Sequence, residues 1–247
     1  GAVALVLFFR RQLSMEHPML EVRVLANRKF LVATVIGMLV QGALLAAGIL
    51  VPIYLQSLMG YSATVSGLVL LPGAIIMGAM GPSAGRLFDK HGPRALSLVG
   101  MGILTATSFC FVFLGPDMGI ITLTLIYTVR MFSLALVNMP ITTWGLNALP
   151  TEIVNHGTSV NNTLRQVAGS LGTALIISAS TTVTNASAPS MGQAAASFFG
   201  VDVSFGLSAT LCLTGFVLVA VLVKNKPDTS VGRRKHHAHK RVVEVSG

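Results

Sequence analysis

Negative charge is scarce in this chain, and its apolar runs contain none. Eight acidic residues stand against seventeen basic ones, and those at 16, 21, 89, 117, 152, 202, 228 and 244 all fall in connecting segments or at the ends of apolar runs. Charged residues of both signs make up 10% of the chain, far below the roughly 25% of a soluble domain. That shortage excludes an ordinary water-soluble core. Cysteine is limited to Cys110 and Cys212; both sit in apolar runs, where they serve as small hydrophobes rather than as a disulfide framework. All six histidines lie outside the apolar runs. A serine protease working inside a membrane needs a histidine to take the proton of its serine, and Gly206-Leu207-Ser208 offers only the serine. The His-Glu-x-x-His pattern of a metalloprotease is missing as well. The chain therefore does not read as an enzyme, and neither a metal nor a cofactor is implied.

What is present is hydrophobic length. Apolar residues are 53% of the chain and the mean hydropathy is +0.76. Several runs reach the roughly 20 residues a helix needs to cross a bilayer. The expected fold class is an all-α polytopic membrane protein with six full spans, at about 30–56, 63–84, 95–114, 120–146, 159–184 and 203–223. Gly1 to Phe9 is too short for a span and reads as the end of a preceding helix, so the chain is expected to be a piece of a longer protein. Residues 1–29 then comprise that helix end and a polar connector, 30–224 the six-span unit, and 225–247 a basic tail.

The positive charges give the expected topology. Five basic residues precede the first span, three lie in the turn at 86–94, and seven lie in the tail. The alternate loops at 57–62, 115–119 and 185–202 have none. Excess Lys and Arg marks the cytoplasmic side, which puts both ends and the 86–94 turn inside the cell. This placement accounts for the net charge of +9 without nucleic acid, and leaves the tail free to touch anionic lipid headgroups.

Polar groups inside the spans are the candidate site. Arg130 lies about ten residues into the fourth span, roughly 15 Å deep. A buried charge of that kind faces a cavity or a partner. Either it meets an anionic group, a substrate or a carboxylate on another segment, or it is a buried arginine bonded to carbonyls or polar side chains. No acid in this chain sits at matching depth, so in the first case its partner is a ligand or lies outside this chain. Arg165 lies one to two turns inside the fifth span, where it either snorkels to water or packs structurally. Gln41, Asn138, Asn162 and Gln166 either bond across helices or line a path.

The turn Gly85-Arg86-Leu87-Phe88-Asp89-Lys90-His91-Gly92-Pro93-Arg94 reverses the chain at Gly92-Pro93. Its pattern Gly85-x-Leu87-x-Asp89-Lys90-x-Gly92-x-Arg94 resembles the loop signature between the second and third helices of each half of the major facilitator superfamily. Gly60-Tyr61-Ser62-Ala63, Leu70-Leu71-Pro72 and the stretch from Asn162 to Ala174 are similar to the carboxy-terminal half of its fourteen-span drug:proton antiporter branch. The resemblance implies a bacterial cell-membrane exporter of lipophilic small molecules that works by alternating access against protons. Its partner would be an amino-terminal half of the same transporter. Gly85, Arg86, Asp89, Lys90, Gly92 and Arg94 would form a gating loop. The first, second, fourth and fifth spans would face that missing half, with Gln41, Arg130, Asn138, Asn162, Arg165 and Gln166 along the substrate path. The family's proton-coupling carboxylates generally sit in the amino-terminal half, so no proton relay is expected here. The competing expectation is a six-span scaffold, or a truncated fragment, that transports nothing.

Overall fold

The computed structural model describes residues 22–113 and 118–223. The expected end of a preceding helix, most of the connector, the turn residues 114–117 and the basic tail lie outside them. Among the described residues all regular structure is helical. Six helices are long and apolar enough to cross a membrane, as the composition requires.

Helix α1 (Arg28–Ile53) starts where the Asn27 side chain accepts hydrogen bonds from the backbone of Lys29 at 3.0 Å and Phe30 at 3.2 Å. These satisfy two of the donors a helix start leaves open. The Asn27 amide also donates to the Ala148 carbonyl at 2.8 Å, pinning this end of α1 to the end of a later helix. Pro52 removes one backbone donor near the far end of α1. The chain then widens into a π turn, Tyr54–Leu58, whose Tyr54 carbonyl accepts from Met59 at 3.1 Å.

The helical residues Ala63–Val112 are two helices separated at Gly92: α2 (63–91) and α3 (93–112). Their directions follow from what each touches on α4 (Ile120–Leu146). Along α2, Gly73 lies against Tyr127 and Met131, and Gly85 against Met139. Along α3, Gly100 lies against Val137, and Ser108 bonds Arg130. The first arm runs parallel to α4 and the second antiparallel, so the pair is a hairpin clamped on α4.

The expected loop at 85–94 is thus shorter than its charge suggested. Gly85 to His91 continue the helix, and the reversal is concentrated at Gly92, with φ 77° and ψ 168°. Only glycine holds that conformation cheaply. Pro93 follows as the first residue of α3, where its missing N–H costs nothing, and it pushes Gly92 to extended ψ.

A second difference lies at 185–202. The Ser/Ala-rich stretch was expected to be a loop, but α5 (Val154–Met191) runs through it and α6 (Gln193–Leu222) resumes after Gly192 alone. Alanine favours helix. Hydroxyls here find acceptors on their own helix: Ser190 bonds the Ser187 carbonyl and Ser197 that of Gln193. Polarity here does not break the helix. In consequence Asp202, expected at a span end, stands in the tenth position of α6.

The core gathers around α1, whose Ala33, Ile36, Val40, Ala43, Ala46 and Leu50 are buried. The outer faces stay apolar: Ile121 and Leu125 of α4, Leu68 and Ile75 of α2 and Leu175 of α5 are all exposed, as a surface meeting lipid or another apolar segment must be. Gly92→Ala should destabilise the fold by about 2 kcal/mol. Gly78→Ala, whose added methyl meets nothing within 4 Å, should not. Denaturant titration of the detergent-solubilised protein separates the two.

Candidate substrate-facing cleft and its polar floor

Four helices leave a cleft of about 490 Å³ between them. Leu44, Leu45, Gly48 and Ile49 of α1, Ala74 and Met77 of α2, Tyr127 and Met131 of α4, and Ser170 and Thr173 of α5 line it. The walls are apolar except for the α5 hydroxyls, and Thr173 turns its hydroxyl to the Gly169 carbonyl at 2.8 Å. Such a surface takes a hydrophobic body and offers it little hydrogen bonding.

One turn along α1 and α5, towards the end carrying Arg28, Arg86 and Arg94, the chemistry changes. Arg165 reaches across from α5 and donates to Thr142 Oγ1 at 3.1 Å, to Gln41 Oε1 at 3.4 Å and to Asn138 Oδ1. Gln41 in turn donates to Gln166 Oε1 at 3.0 Å. Of the two expectations for Arg165, snorkelling to water and structural packing, the geometry agrees with packing: its guanidinium points inward, to α1 and α4. Close approach of α1 and α5 makes this possible. A methyl on Gly37 would sit 3.1 Å from Arg165 Cδ, and one on Gly169 would sit 2.9 Å from Gln41 Cγ. Small residues at such crossings are what let two membrane helices touch.

All four partners in this cage are neutral. The acids among the described residues are Asp89, Glu152 and Asp202, and none bonds to Arg165. The positive charge is hydrogen-bonded but not neutralised, so an anionic or strongly accepting group arriving from the cleft would gain a charge-assisted bond in a poorly solvated place.

Arg130 is held elsewhere. It is 1% exposed, and its Nη1 donates to Ser108 Oγ at 2.5 Å and its Nη2 to the Ala43 carbonyl at 3.0 Å. Its guanidinium carbon lies 5.8 Å from the centre of the Phe111 ring, and Phe111 stacks on Phe205 at 5.0 Å. One side chain therefore ties α4 to α1 and α3, with α6 behind. Tyr127 and Met131, three residues before it and one after, face the cleft, while Arg130 turns its donors away from that wall. Asn162 is exposed on α5, one turn before Arg165, and stands apart from the cage.

The loop residues stay at the basic end. Arg86, Asp89 and Lys90 are exposed. Arg94 donates to the Ala220 carbonyl of α6 at 3.3 Å, where the helix has unpaired acceptors and a negative dipole end. Sequence reasoning did not single out Thr142, Tyr127 or Ser108. Their only signal was helical spacing from Asn138 and Arg130, namely four residues, three residues and a neighbouring helix.

A family model described as Major Facilitator Superfamily matches residues 2–173. The chain belongs to the major facilitator superfamily. It is 40% identical over 225 residues to YcnB of Bacillus subtilis, an uncharacterized MFS-type transporter, covering 91% of this chain and 47% of that protein. It is 38% identical over 178 residues to the lincomycin resistance protein LmrB of the same organism, covering 72% of this chain and 37% of LmrB. The multidrug export protein EmrB of Haemophilus influenzae is 29% identical over 175 residues, covering 70% of this chain and 34% of EmrB. The chain thus spans less than half the length of each of these relatives, all of them named as transport or resistance proteins rather than enzymes.

The two arginines should separate in their energetics. Arg130→Ala leaves a cavity and two stranded acceptors, and should cost about 3 kcal/mol of stability. Arg165→Ala, with a partly exposed side chain, should cost clearly less. Denaturation midpoints of the two purified variants measure the difference.

Proposed function

We propose that the chain is the carboxy-terminal six-helix half of a fourteen-span secondary transporter in a bacterial cell membrane, which exports lipophilic small molecules in exchange for protons by alternating access. The observation that carries this reading is the apolar cleft among α1, α2, α4 and α5 with the Arg165 cage one turn below it. An amino-terminal half would close the cleft from the other side, because substrate sites in such transporters lie between two pseudo-symmetric repeats. The names of LmrB and EmrB support a drug or antibiotic as cargo. The apolar walls favour a lipophilic body, and the unneutralised guanidinium disfavours a purely cationic one.

In this scheme Arg165, with Gln41, Asn138 and Gln166, orients the polar group of the solute. Asn162 lies nearer the cytoplasmic mouth. Arg130 acts from behind the wall, fixing the helices whose Tyr127 and Met131 contact the solute. The turn around Gly92 is the gate: Arg94 holds α3 to the end of α6, and Asp89, Arg86 and Lys90 face the cytoplasm and its lipid headgroups, with both ends of the chain on that side.

The deciding experiment is efflux from proteoliposomes holding the full-length protein under an imposed pH gradient. Gradient-dependent efflux of a lipophilic drug is expected, and its absence across a panel of lipophilic compounds would overturn the reading. Arg165→Gln should weaken substrate binding about tenfold or more, the worth of one lost charge-assisted bond, as measured by equilibrium binding in detergent. Asp89→Asn should slow turnover while leaving that binding constant unchanged, because a gate acts on interconversion rather than on the site.

A further inference from the structure

Asp202 is the acid that no part of this scheme uses, and its surroundings are unusual. It stands in α6 with Phe198 one turn before it and Phe205 one turn after it on the same helix face. The ring of Tyr54, from the π turn after α1, packs edge-on against Phe198 at 6.1 Å. Phe205 stacks on Phe111 of α3. The carboxyl thus sits in an aromatic seam joining α1, α3 and α6, at the end of the bundle away from the arginine-rich turns. Asp202 as a whole is half-buried, but its Oδ1 is sealed from solvent and has no hydrogen-bond partner among the described residues.

The groups that could answer its charge are few. Tyr54, 2% exposed, lies within electrostatic reach of it, with Tyr61 behind. Arg130 of α4 lies 5.8 Å from the Phe111 ring that stacks on Phe205; it donates to Ser108 and Ala43, and its Nε has no hydrogen-bond partner among the described residues. From α5, the Thr184 hydroxyl and the Ser180 backbone carbonyl meet α6 at Gly200. The described part of α3 contributes Cys110, which is exposed. An ionised carboxylate is an acceptor only, and here one oxygen has nothing to accept from. A protonated carboxyl brings its own donor and leaves no uncompensated charge in the seam.

We propose that Asp202 is a proton-binding site, and that the α1–α6 seam in this structure is closed over its neutral form. Losing the proton places a charge between Tyr54, Phe198 and Phe205, which then separate to admit water. The seam would open and close with the occupancy of a single proton, whatever the cleft carries. The inference needs no substrate and stands apart from the exporter reading.

Infrared difference spectroscopy tests it on the full-length protein in lipid nanodiscs without substrate. A step from acidic to alkaline buffer should remove a protonated-carboxyl C=O band, and Asp202→Asn should lack that component. Asp202→Glu should keep the band at a shifted frequency, so the test stands even where the Asn variant folds poorly. A wild-type difference spectrum that neither substitution alters overturns the proposal. So does a band removed by sodium at constant pH, which would make the ligand a metal cation instead. In parallel, the wild type should lose thermal stability as pH rises while Asp202→Asn does not, since the amide mimics the neutral acid; parallel pH curves for the two would count against the seam.

Discussion

Inside an apolar bundle a guanidinium must be held by oxygens from the protein itself, and this chain holds two of them with neutral ones. Arg130 takes a serine hydroxyl and a backbone carbonyl, and Arg165 takes a threonine and two side-chain amides. Each set comes from different helices, so satisfying the charge and fixing the helix packing are the same event. The glycines at 37 and 169 belong to that requirement, because the Arg165 cage closes only if α1 and α5 approach closely.

The two cations divide the labour. Arg130, with all of its surface covered, acts as a joint between helices, whereas Arg165, partly covered, lies where an apolar wall meets the basic end. A membrane protein tolerates the desolvation of the first only because that charge never has to move. The second keeps part of its exposure, and with it the capacity to exchange a neutral oxygen for a better acceptor. The hairpin of α2 and α3 grips α4 between one parallel and one antiparallel arm, so the cleft wall formed by Tyr127 and Met131 is braced from both sides.

Much of the architecture was readable from the residues. Six apolar runs gave six membrane-length helices, and Gly92-Pro93 marked the reversal correctly because backbone geometry there admits only glycine followed by a residue that needs no N–H. The boundaries were less legible. Charge at 86–91 and small polar residues at 185–202 suggested loops, yet both stretches are helical apart from Gly192; polarity tells where a segment meets water, and a helix may continue into water. Of the polar pathway residues, Gln41, Asn138, Arg165 and Gln166 come together in one cage, Asn162 stays outside it, and Arg130 is turned the other way. Composition cannot distinguish these, because the direction of a long side chain is set by the neighbouring helices. Asp202 escaped notice for the related reason that the start of α6 was placed ten residues too late.

The length of α5 has a consequence for the shape of the membrane entrance. Its 38 residues extend about 57 Å at 1.5 Å per residue, nearly twice the hydrocarbon thickness of roughly 30 Å, and no tilt in the usual range hides the excess. The hydroxyl-rich turns before Gly192 therefore stand clear of the lipid tails, with α6 descending beside them. Together they extend the bundle beyond the hydrocarbon as a hydroxyl-rich protein rim on that side.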